Sequence, residues 1–519
     1  AYVEPGYEAT ASFNVGAAVA SWETDEYKAD WGLGAMHASK AYALGFNGEG
    51  VAVGVMDSGA LLQAHPDLAG DRFHASEADS HYGSTGDRYP QDTKNPGHYD
   101  PEHPATESGK IDGNWIAGTN DSHGTHVTGS VGANRDGSEF HGVAWGADVW
   151  VGNTGGTDST NYGPFQDHDF FKNAWSALAQ NLIKANGADR GGVINNSFGT
   201  NTRIVNTKTT GPDGGSTGVH NPTDTIADVE YEYFLFNNRY VGTGAVPTWN
   251  QSFVDAAWEA VQDTNVVQVM TTGNRDFANP FYRPLYPYFN PDAEKNWIAV
   301  AGLQKDGEGY KLVATWNEAG LGKYWTVVAP GSGIYGSKVD TATGDPLWGN
   351  SSGTSMSAPH VTGAMTVLMS RYEDMDATQV RDVMFTTANH YNPDGSVFGD
   401  SNGNGVEDDG EDMWTAKDGE VDARYGWGVP DLDKGMYGLG QLLGTFDYKL
   451  NGFDVWTNDI SEVALNQRER EETAWLKDAK AWKDAYTAYQ DNGKKLEGLT
   501  KEQIATLTKD MHLSGEGDK

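Results

Sequence analysis

Short apolar runs of strand length recur along this chain of 519 residues and alternate with stretches that have helical periodicity. A continuous run of Val, Ile and Ala without alternation is typical of a strand that is buried on both faces. Such runs lie at 51–57, 148–153, 193–197, 266–272 and 297–302. Strands that alternate with helices predict an α/β fold, with a mostly parallel sheet covered by helices on both faces.

Helical periodicity is clear in the part of the chain that follows the apolar run 297–302. One buried stripe is predicted from the spacing of Val361, Ala364, Met365 and Leu368. Pro359 is compatible with this helix because proline is tolerated in the first turn or so. A further helix is predicted behind the acidic cap Asp376.

The remainder of the chain divides into long loops and a tail. Segments 71–120 and 200–225 are rich in Asp, Gly, Pro and Ser, which predicts loops that either border a cleft or are solvated decoration. We therefore expect one domain over 1–440, with an N-terminal extension at 1–24. Beyond it, 441–519 is expected to form a helical tail, with apolar positions at Trp475, Ala479, Trp482, Tyr486 and Tyr489 and a second short helix from Thr500.

Three polar residues stand at the ends of these predicted elements. Ser355 opens the helix that contains Pro359, His123 opens a small-residue run, and Asp57 ends the first strand. A serine hydroxyl is a poor nucleophile unless a base lies within hydrogen-bond reach, and the base needs a group that holds its tautomer. Taken singly, each residue has an ordinary interpretation as a cap or turn residue. Together they indicate a nucleophile, a base and an orienting carboxylate.

The surrounding motifs resemble those of the subtilisin-like serine proteases. Asp57-Ser58-Gly59, His123-Gly124-Thr125-His126-Val127 and Gly353-Thr354-Ser355-Met356 match the signatures of that family, in its chain order of Asp, His and Ser. The resemblance implies a subtilisin-like, doubly wound fold in which 1–440 is a peptidase domain. His126 and His360 lie outside the reacting positions, and we expect them to serve packing or hydrogen bonding.

The resemblance also implies an oxyanion site. A tetrahedral intermediate needs hydrogen-bond donors that are already in place. The family places its oxyanion asparagine where Gly273-Asn274 follows the apolar run 266–272. Asn274 is therefore the expected side-chain donor. The backbone N–H of Ser355 is the expected second donor, because the first N–H groups of a helix have no partner within it.

The resemblance also implies a substrate-binding edge at Ser197-Phe198-Gly199, a segment that begins at the last residue of the run 193–197. In the family the matching segment pairs with the extended backbone of the substrate, which is recognition by strand addition. Gly155 and Gly156 are the expected opposite edge.

Residues 400–411 match the twelve-position calcium loop Asp-x-Asn-x-Asn-Gly followed by a final Glu. The expected cofactor is Ca²⁺, since carboxylates packed this densely repel one another unless a cation neutralises them. The expected ligands are Asp400, Asn402, Asn404, the Val406 carbonyl, Asp408 directly or through water, and Glu411. No helix is predicted before Asp400, and the alternative is an acidic, glycine-rich turn.

The composition of the chain limits the classes of molecule that it is expected to bind. The chain has 36 basic and 73 acidic residues, a net charge of −37, and no cysteine. Such acidity argues against nucleic acid and anionic membranes as partners. No apolar run is long enough to span a bilayer, so we expect no membrane insertion by this chain. Protein or peptide substrates and a monomeric state are the expectation.

A subgroup is indicated by 29–35, 273–291 and 452–460, which resemble the passenger domains of bacterial autotransporter subtilases. The resemblance implies secretion or display at the bacterial cell surface, with 441–519 as a helical tail or a linker toward a translocator. The expected function is a secreted, calcium-supported serine endopeptidase. The alternatives are a surface binding or adhesive protein on a protease frame, and an esterase.

Overall fold

A computed structural model describes residues 15–79, 110–155, 168–198, 253–409, 411–417 and 419–438, together with parts of 464–508. Several predicted features lie outside these residues: segment 200–225, most of segment 71–120, Gly156, Gly199, and four of the apolar tail positions, Trp475, Ala479, Trp482 and Tyr486.

A parallel sheet forms the centre of the fold. Its strands are β1 (Ala52–Asp57), β2 (Phe73–Ala75), β5 (Asp148–Asn153), β6 (Gly192–Asn196), β7 (Val266–Thr271), β8 (Trp297–Asp306) and β10 (Thr326–Pro330), with β9 (Gly309–Leu312) antiparallel on β8. The order is β10-β8-β7-β6-β1-β5-β2. Every residue of β1, β6, β7 and β10 is buried. Continuous apolar runs suit these positions because both faces of the strands are covered.

Helices cover the two faces of the sheet. The helices that pack most closely on it are α5 (His123–Gly132), α6 (His168–Asn186) and α9 (Thr354–Arg371). The other described helices are α1 (Val15–Trp22), α2 (Asp25–Ala29), α3 (Trp31–Ala35), α4 (Ala38–Ala43), α7 (Phe253–Glu259), α8 (Tyr286–Phe289), α10 (Ala377–Thr386), α11 (Lys434–Tyr437) and α12 (Lys501–Thr508). Gly54 of β1 faces Leu178 of α6, whereas Val149 of β5, which is in register with Val53 of β1, contacts Gly132 of α5. Since neighbouring residues of a strand face opposite ways, α5 and α6 lie on opposite faces. The predicted fold class is confirmed.

The predicted strands coincide with observed ones to within a few residues. β5 spans the predicted 148–153, and the predicted helix behind Asp376 is α10, whose N-cap forms a reciprocal capping box with Gln379. Two antiparallel pairs complete the described strands, β3 (Ala78–Asp79) with β4 (Lys110–Ile111), and the hairpin of β11 (Ile334–Val339) with β12 (Pro346–Ser351). The β11–β12 pair was not predicted, because β12 is half exposed and carries no apolar run.

The topology places polar residues together at one edge. β1, β6 and β7 are adjacent and parallel, so their carboxyl ends, at Asp57, Asn196 and Thr271, lie side by side. Open α/β sheets place their sites at this edge. Helices α5 and α9 pack against each other and begin at His123 and Thr354.

Candidate active site

Asp57 is the last residue of β1, and its side chain is fully buried. Its Oδ1 accepts a hydrogen bond of 2.7 Å from the Ser58 backbone N–H and lies 2.7 Å from Nδ1 of His123. A carboxylate bonded to Nδ1 keeps a proton there and leaves Nε2 available as a base. This is the arrangement expected of an orienting carboxylate.

The start of α5 is built by the residues around the aspartate. Asp121 Oδ1 accepts the His123 N–H at 2.9 Å and the Ser58 hydroxyl at 2.7 Å. The Ser58 hydroxyl in turn accepts the Gly124 N–H at 3.0 Å. A Cβ at Gly124 would lie 2.3 Å from the Gly59 carbonyl oxygen, so only glycine permits this approach. These contacts hold β1 and α5 together and define where the imidazole lies.

Ser355 is the second residue of α9 and is half-buried. Gly353, the N-cap, has φ 154° and ψ 161°, a conformation that is essentially restricted to glycine. One pocket of about 200 Å³ brings together several of the predicted catalytic and substrate-binding residues. Its lining includes His123, Ser197, Phe198, Asn274, Ser355 and Met356.

Asn274 follows β7 and is oriented by the first turn of α9. Its Oδ1 accepts hydrogen bonds from the Thr354 N–H at 2.9 Å and the Thr354 hydroxyl at 3.0 Å. Because two donors face the oxygen, the amide must present its nitrogen to the pocket. An oxyanion donor requires that orientation.

Ser197 has a role that the sequence reasoning missed. Pro359 lies four residues after Ser355 and has no N–H, so the Ser355 carbonyl has no helical donor. The Ser197 hydroxyl donates to that carbonyl at 2.7 Å. Asn195 Nδ2 donates to the Ser197 oxygen at 2.9 Å, and Asn195 Oδ1 accepts the Thr362 hydroxyl at 3.0 Å. The spacing from Ser355 to Pro359 was the available signal for a missing donor.

Phe198 lies in an aromatic stack. Its ring is 6.3 Å from that of Trp175 at an interplanar angle of 10°, and only 4% of the residue is exposed. Gly155 has a left-handed φ of 71° at the end of β5. The two strand edges expected to bind substrate stay predictions.

The loop 400–411 is arranged around its first residue. Asp400 Oδ1 accepts the N–H groups of Gly403 at 2.7 Å and Asn404 at 3.2 Å, and Oδ2 accepts that of Gly405 at 3.0 Å. The Val406 side chain is exposed. Asp408 Oδ2 accepts the side-chain amides of Asn402 and Asn404 at 2.7 and 2.8 Å.

Glu411 closes this loop by accepting the Ser401 N–H and the Asp408 N–H, each at 3.1 Å. In the described part of the chain, no three His, Cys, Asp or Glu residues converge on a metal position. The carboxylate oxygens of Asp400, Asp408 and Glu411 accept hydrogen bonds from backbone N–H groups and side-chain amides in this structure.

His126 and His360 are both buried and hydrogen-bonded. His126 Nε2 lies 3.1 Å from the Ile334 carbonyl, and burial lowers the pKa of this histidine to about 4. His360 contacts Asp30, a residue for which the sequence suggested no role.

Within the described residues, no helix has the length and apolarity that crossing a bilayer requires.

Comparison with known proteins gives a family match. The profile of peptidase S8, the subtilase family, matches residues 48–428. The chain is 29% identical over 395 residues to an extracellular serine protease of Serratia marcescens, a match that covers 71% of this chain and 32% of that protein. It is 25% identical over 312 residues to the Neisserial autotransporter lipoprotein NalP of Neisseria meningitidis serogroup B, covering 57% of this chain and 23% of that protein.

Among solved structures, fervidolysin from Fervidobacterium pennivorans, a keratinolytic enzyme related to subtilisin, matches with a TM-score of 0.44 and 20% identity. That match covers 79% of this chain and 45% of the fervidolysin chain. The chain spans about a third of the length of the Serratia proteases it matches, 32% in each case. The family profile covers well over half of the chain and includes Asp57, His123, Asn274 and Ser355. The chain therefore belongs to the subtilase family.

Proposed function

We propose that the chain is a secreted serine endopeptidase that hydrolyses peptide bonds of proteins through an acyl-enzyme intermediate. The observation that supports this proposal is that the buried carboxylate of Asp57 lies 2.7 Å from His123 Nδ1. His123 and Ser355 also line the same pocket. Family membership supports the same reaction class.

In the proposed reaction, the Ser355 Oγ attacks the carbonyl carbon of the substrate while His123 Nε2 accepts the hydroxyl proton. The Asp57 carboxylate stabilises the imidazolium that forms. The negative oxygen of the tetrahedral intermediate accepts hydrogen bonds from Asn274 Nδ2 and the Ser355 N–H.

Collapse of the intermediate breaks the C–N bond as His123 protonates the leaving amine. Water then attacks the acyl-enzyme, with His123 first as base and then as acid, and restores the Ser355 hydroxyl. An extended substrate backbone would lie along Ser197, Phe198 and Gly199, which are the proposed substrate-binding residues.

The test is covalent labelling with a fluorophosphonate, followed by mapping of the adduct and an assay of casein cleavage. We expect one adduct on Ser355, with Ser355→Ala unlabelled and inactive. Ser352→Ala is the matched control, because Ser352 lines the same pocket and has no assigned role. Absence of both labelling and cleavage in the parent would contradict the proposal and favour the binding or adhesive alternative. Cleavage of ester but not amide substrates would favour an esterase.

We also propose that the loop 400–411 binds Ca²⁺. The donor set fits a hard cation, since it offers carboxylate, amide and carbonyl oxygens at the spacing of a calcium loop. The ligands would be Asp400, Asn402, Asn404, the Val406 carbonyl, Asp408 and Glu411. Bound calcium would neutralise the carboxylates and stabilise the loop, with no part in bond cleavage.

Export to the cell surface or medium is the proposed localisation, supported by relatives named as an extracellular protease and an autotransporter. The proposed oligomeric state is a monomer, which sedimentation of the Ser355→Ala protein would test.

A further inference from the structure

A second Asp–His pair includes a residue of α9, the helix that also contains the proposed nucleophile Ser355. His360 Nε2 is 2.9 Å from Asp30 Oδ2, and both side chains are fully buried. The other ring nitrogen, Nδ1, is 2.7 Å from the backbone carbonyl of Met356. Asp30 comes from the turn between α2 and α3, so the pair joins the N-terminal part of the domain to α9.

The partners of His360 indicate its protonation state. A backbone carbonyl accepts only, so Nδ1 carries a proton; Asp30 also accepts, so Nε2 donates toward it. Burial by itself lowers the pKa of His360 and raises that of Asp30, because it disfavours both charges. Their attraction and hydrogen bonds outweigh burial, and the pKa of His360 ends above its ordinary value while that of Asp30 ends below it. Both pKa directions favour an imidazolium paired with a carboxylate.

This imidazolium is held in a tight enclosure. Asp30 Oδ1 accepts the Gly32 N–H at 2.8 Å, which fixes the carboxylate and starts α3. A Cβ at Gly32 would lie only 2.2 Å from His360 Nε2, so the backbone of the N-terminal turn closes directly over the ring.

The contacts extend to both sides of Ser355. The Met356 carbonyl, which accepts the hydrogen bond from His360 Nδ1, belongs to the residue directly after the nucleophile. On the other side, Trp31 Nε1 donates to the Ser332 carbonyl at 3.0 Å. The Gly331 carbonyl, beside Ser332, accepts the Gly353 N–H at 3.0 Å. The turn that contains Asp30 and Trp31 thus supports the first turn of α9 at two places.

We propose that Asp30 and His360 are positioning residues for Ser355: the pair fixes the Met356 carbonyl and thereby the rotation of the helical turn that presents the Ser355 hydroxyl and N–H. This inference rests on the proposed function of Ser355. Neither residue touches substrate. An apolar side chain could occupy the volume of the His360 ring, but it could not donate hydrogen bonds. The two ring N–H groups of His360 also fix the direction of the helical turn. Small misplacements of reacting groups lower the reaction rate strongly.

The principal test compares Asp30→Asn with Asp431→Asn. Asp431 makes a comparable contact, 3.1 Å to His37, and its Oδ1 otherwise accepts the N–H groups of Asp433 and Lys434, which lie outside α9. Turnover of a peptide amide and the rate of fluorophosphonate labelling are measured per folded molecule. For Asp30→Asn we expect kcat and the labelling rate to fall by about tenfold or more with little change in KM, whereas Asp431→Asn keeps parental values.

Two further measurements keep the inference testable if Asp30→Asn folds poorly. Gly32→Ala keeps both charges but drives a methyl group against the ring, and it should show the same selective loss of kcat. In the Ser355→Ala protein, ¹⁵N-histidine spectra should show His360 with protons on both ring nitrogens, and Asp30→Asn should remove one of them.

Parental labelling rates in folded Asp30→Asn or Gly32→Ala, or a single ring proton on His360 in the parent, would overturn this inference. Failure of the parent to label at Ser355 would instead overturn the proposed function.

Discussion

Asn274 shows how one side chain acquires its role from a neighbour. Thr354 donates its N–H and its hydroxyl to the Asn274 carbonyl oxygen, at 2.9 and 3.0 Å, and so turns the amide nitrogen toward the pocket. The residue type was evident from the motif. Its orientation depends on α9, which begins 80 positions later in the chain.

Replacement of Asn274 by Ala should lower kcat by about 10²–10³, or about 2.7–4 kcal/mol of transition-state stabilisation, with KM nearly unchanged. This magnitude is the one measured for the oxyanion asparagine of subtilisin. The amide acts mainly on the charge that develops during reaction, so ground-state binding is spared. Steady-state kinetics on a peptide amide measure the effect, with exposed Asn350→Ala as the control. An unchanged kcat would remove Asn274 from the oxyanion site.

His126 should make the fold sensitive to acid. Burial lowers its pKa from 6.5 to about 4, so between these values the unfolded chain binds a proton that the folded protein does not. Stability therefore falls as the pH drops through this window, by about 3 kcal/mol at pH 4 from this residue. His126→Gln, which retains a donor for the Ile334 carbonyl, should flatten the dependence.

The measurement is urea unfolding of Ser355→Ala proteins at several pH values from 4 to 7, since that background prevents autolysis. His141→Gln is the comparison, because burial also lowers the pKa of His141 to about 4. Equal slopes with and without His126 would show that its buried ring does not control acid stability.

At the scale of elements, the start of α9 depends on strand β6. Pro359 removes the helical donor for the Ser355 carbonyl, and Ser197, just beyond β6, supplies another at 2.7 Å. Ser197→Ala should therefore destabilise the fold by about 1–3 kcal/mol and lower kcat, because a part-buried carbonyl loses its partner.

Adding Pro359→Ala to Ser197→Ala should recover part of both losses, since an alanine N–H can donate to the Ser355 carbonyl. Thermal unfolding and kcat of the two single variants and the double variant form the cycle. Additive losses would show that Ser197 does not compensate for the proline.

The loop 400–411 is a separate element with its own prediction. Calcium should raise the melting temperature of the parent, because binding at 100 times the dissociation constant adds about 2.7 kcal/mol. Glu411→Ala should lose this response, while Glu308→Ala, an exposed acidic residue outside the loop, should retain it. Identical melting temperatures with calcium and with a chelator would withdraw the site.

At the scale of the whole molecule, residues 467–471 of the predicted C-terminal tail pack on the part of the chain that carries the proposed active site. The buried Gln467 amide accepts the Val421 N–H at 2.7 Å and donates to the Val421 carbonyl at 3.0 Å. Arg468 pairs with Glu294, and Glu471 accepts the Tyr324 hydroxyl at 2.8 Å. Both backbone groups of Val421 are thus satisfied by the tail.

Gln467→Leu should destabilise the protein by about 1–3 kcal/mol and raise hydrogen exchange around Val421, because two buried backbone groups lose their partners. Lys480→Ala, an exposed tail substitution, serves as the control. Hydrogen exchange measured by mass spectrometry reports both regions. Unchanged exchange at Val421 would indicate that the tail does not stabilise the domain.

Prediction from sequence worked best where the pattern was local. The run at 148–153 is strand β5, Asp376 caps α10, and the helix expected from Thr500 is α12. These elements could be predicted because strand burial and helix capping depend on residues that are neighbours in the sequence. The β11–β12 hairpin was missed because β12 is half exposed and carries no apolar run, although its pairing partners are close in sequence. Ser197, which is predicted to bind substrate, also donates to the Ser355 carbonyl, and this contact joins residues 158 positions apart that no local pattern connects.

The α/β class, the acidic charge and the motifs around Asp57, His123, Asn274 and Ser355 can all be identified in the sequence. The pairs that meet in the fold cannot: Asp57 with His123, Asn274 with Thr354, and Asp30 with His360 across 330 positions. Residue types and periodicity are properties of a chain segment, whereas hydrogen-bond direction and the burial of a charge depend on what packs against it.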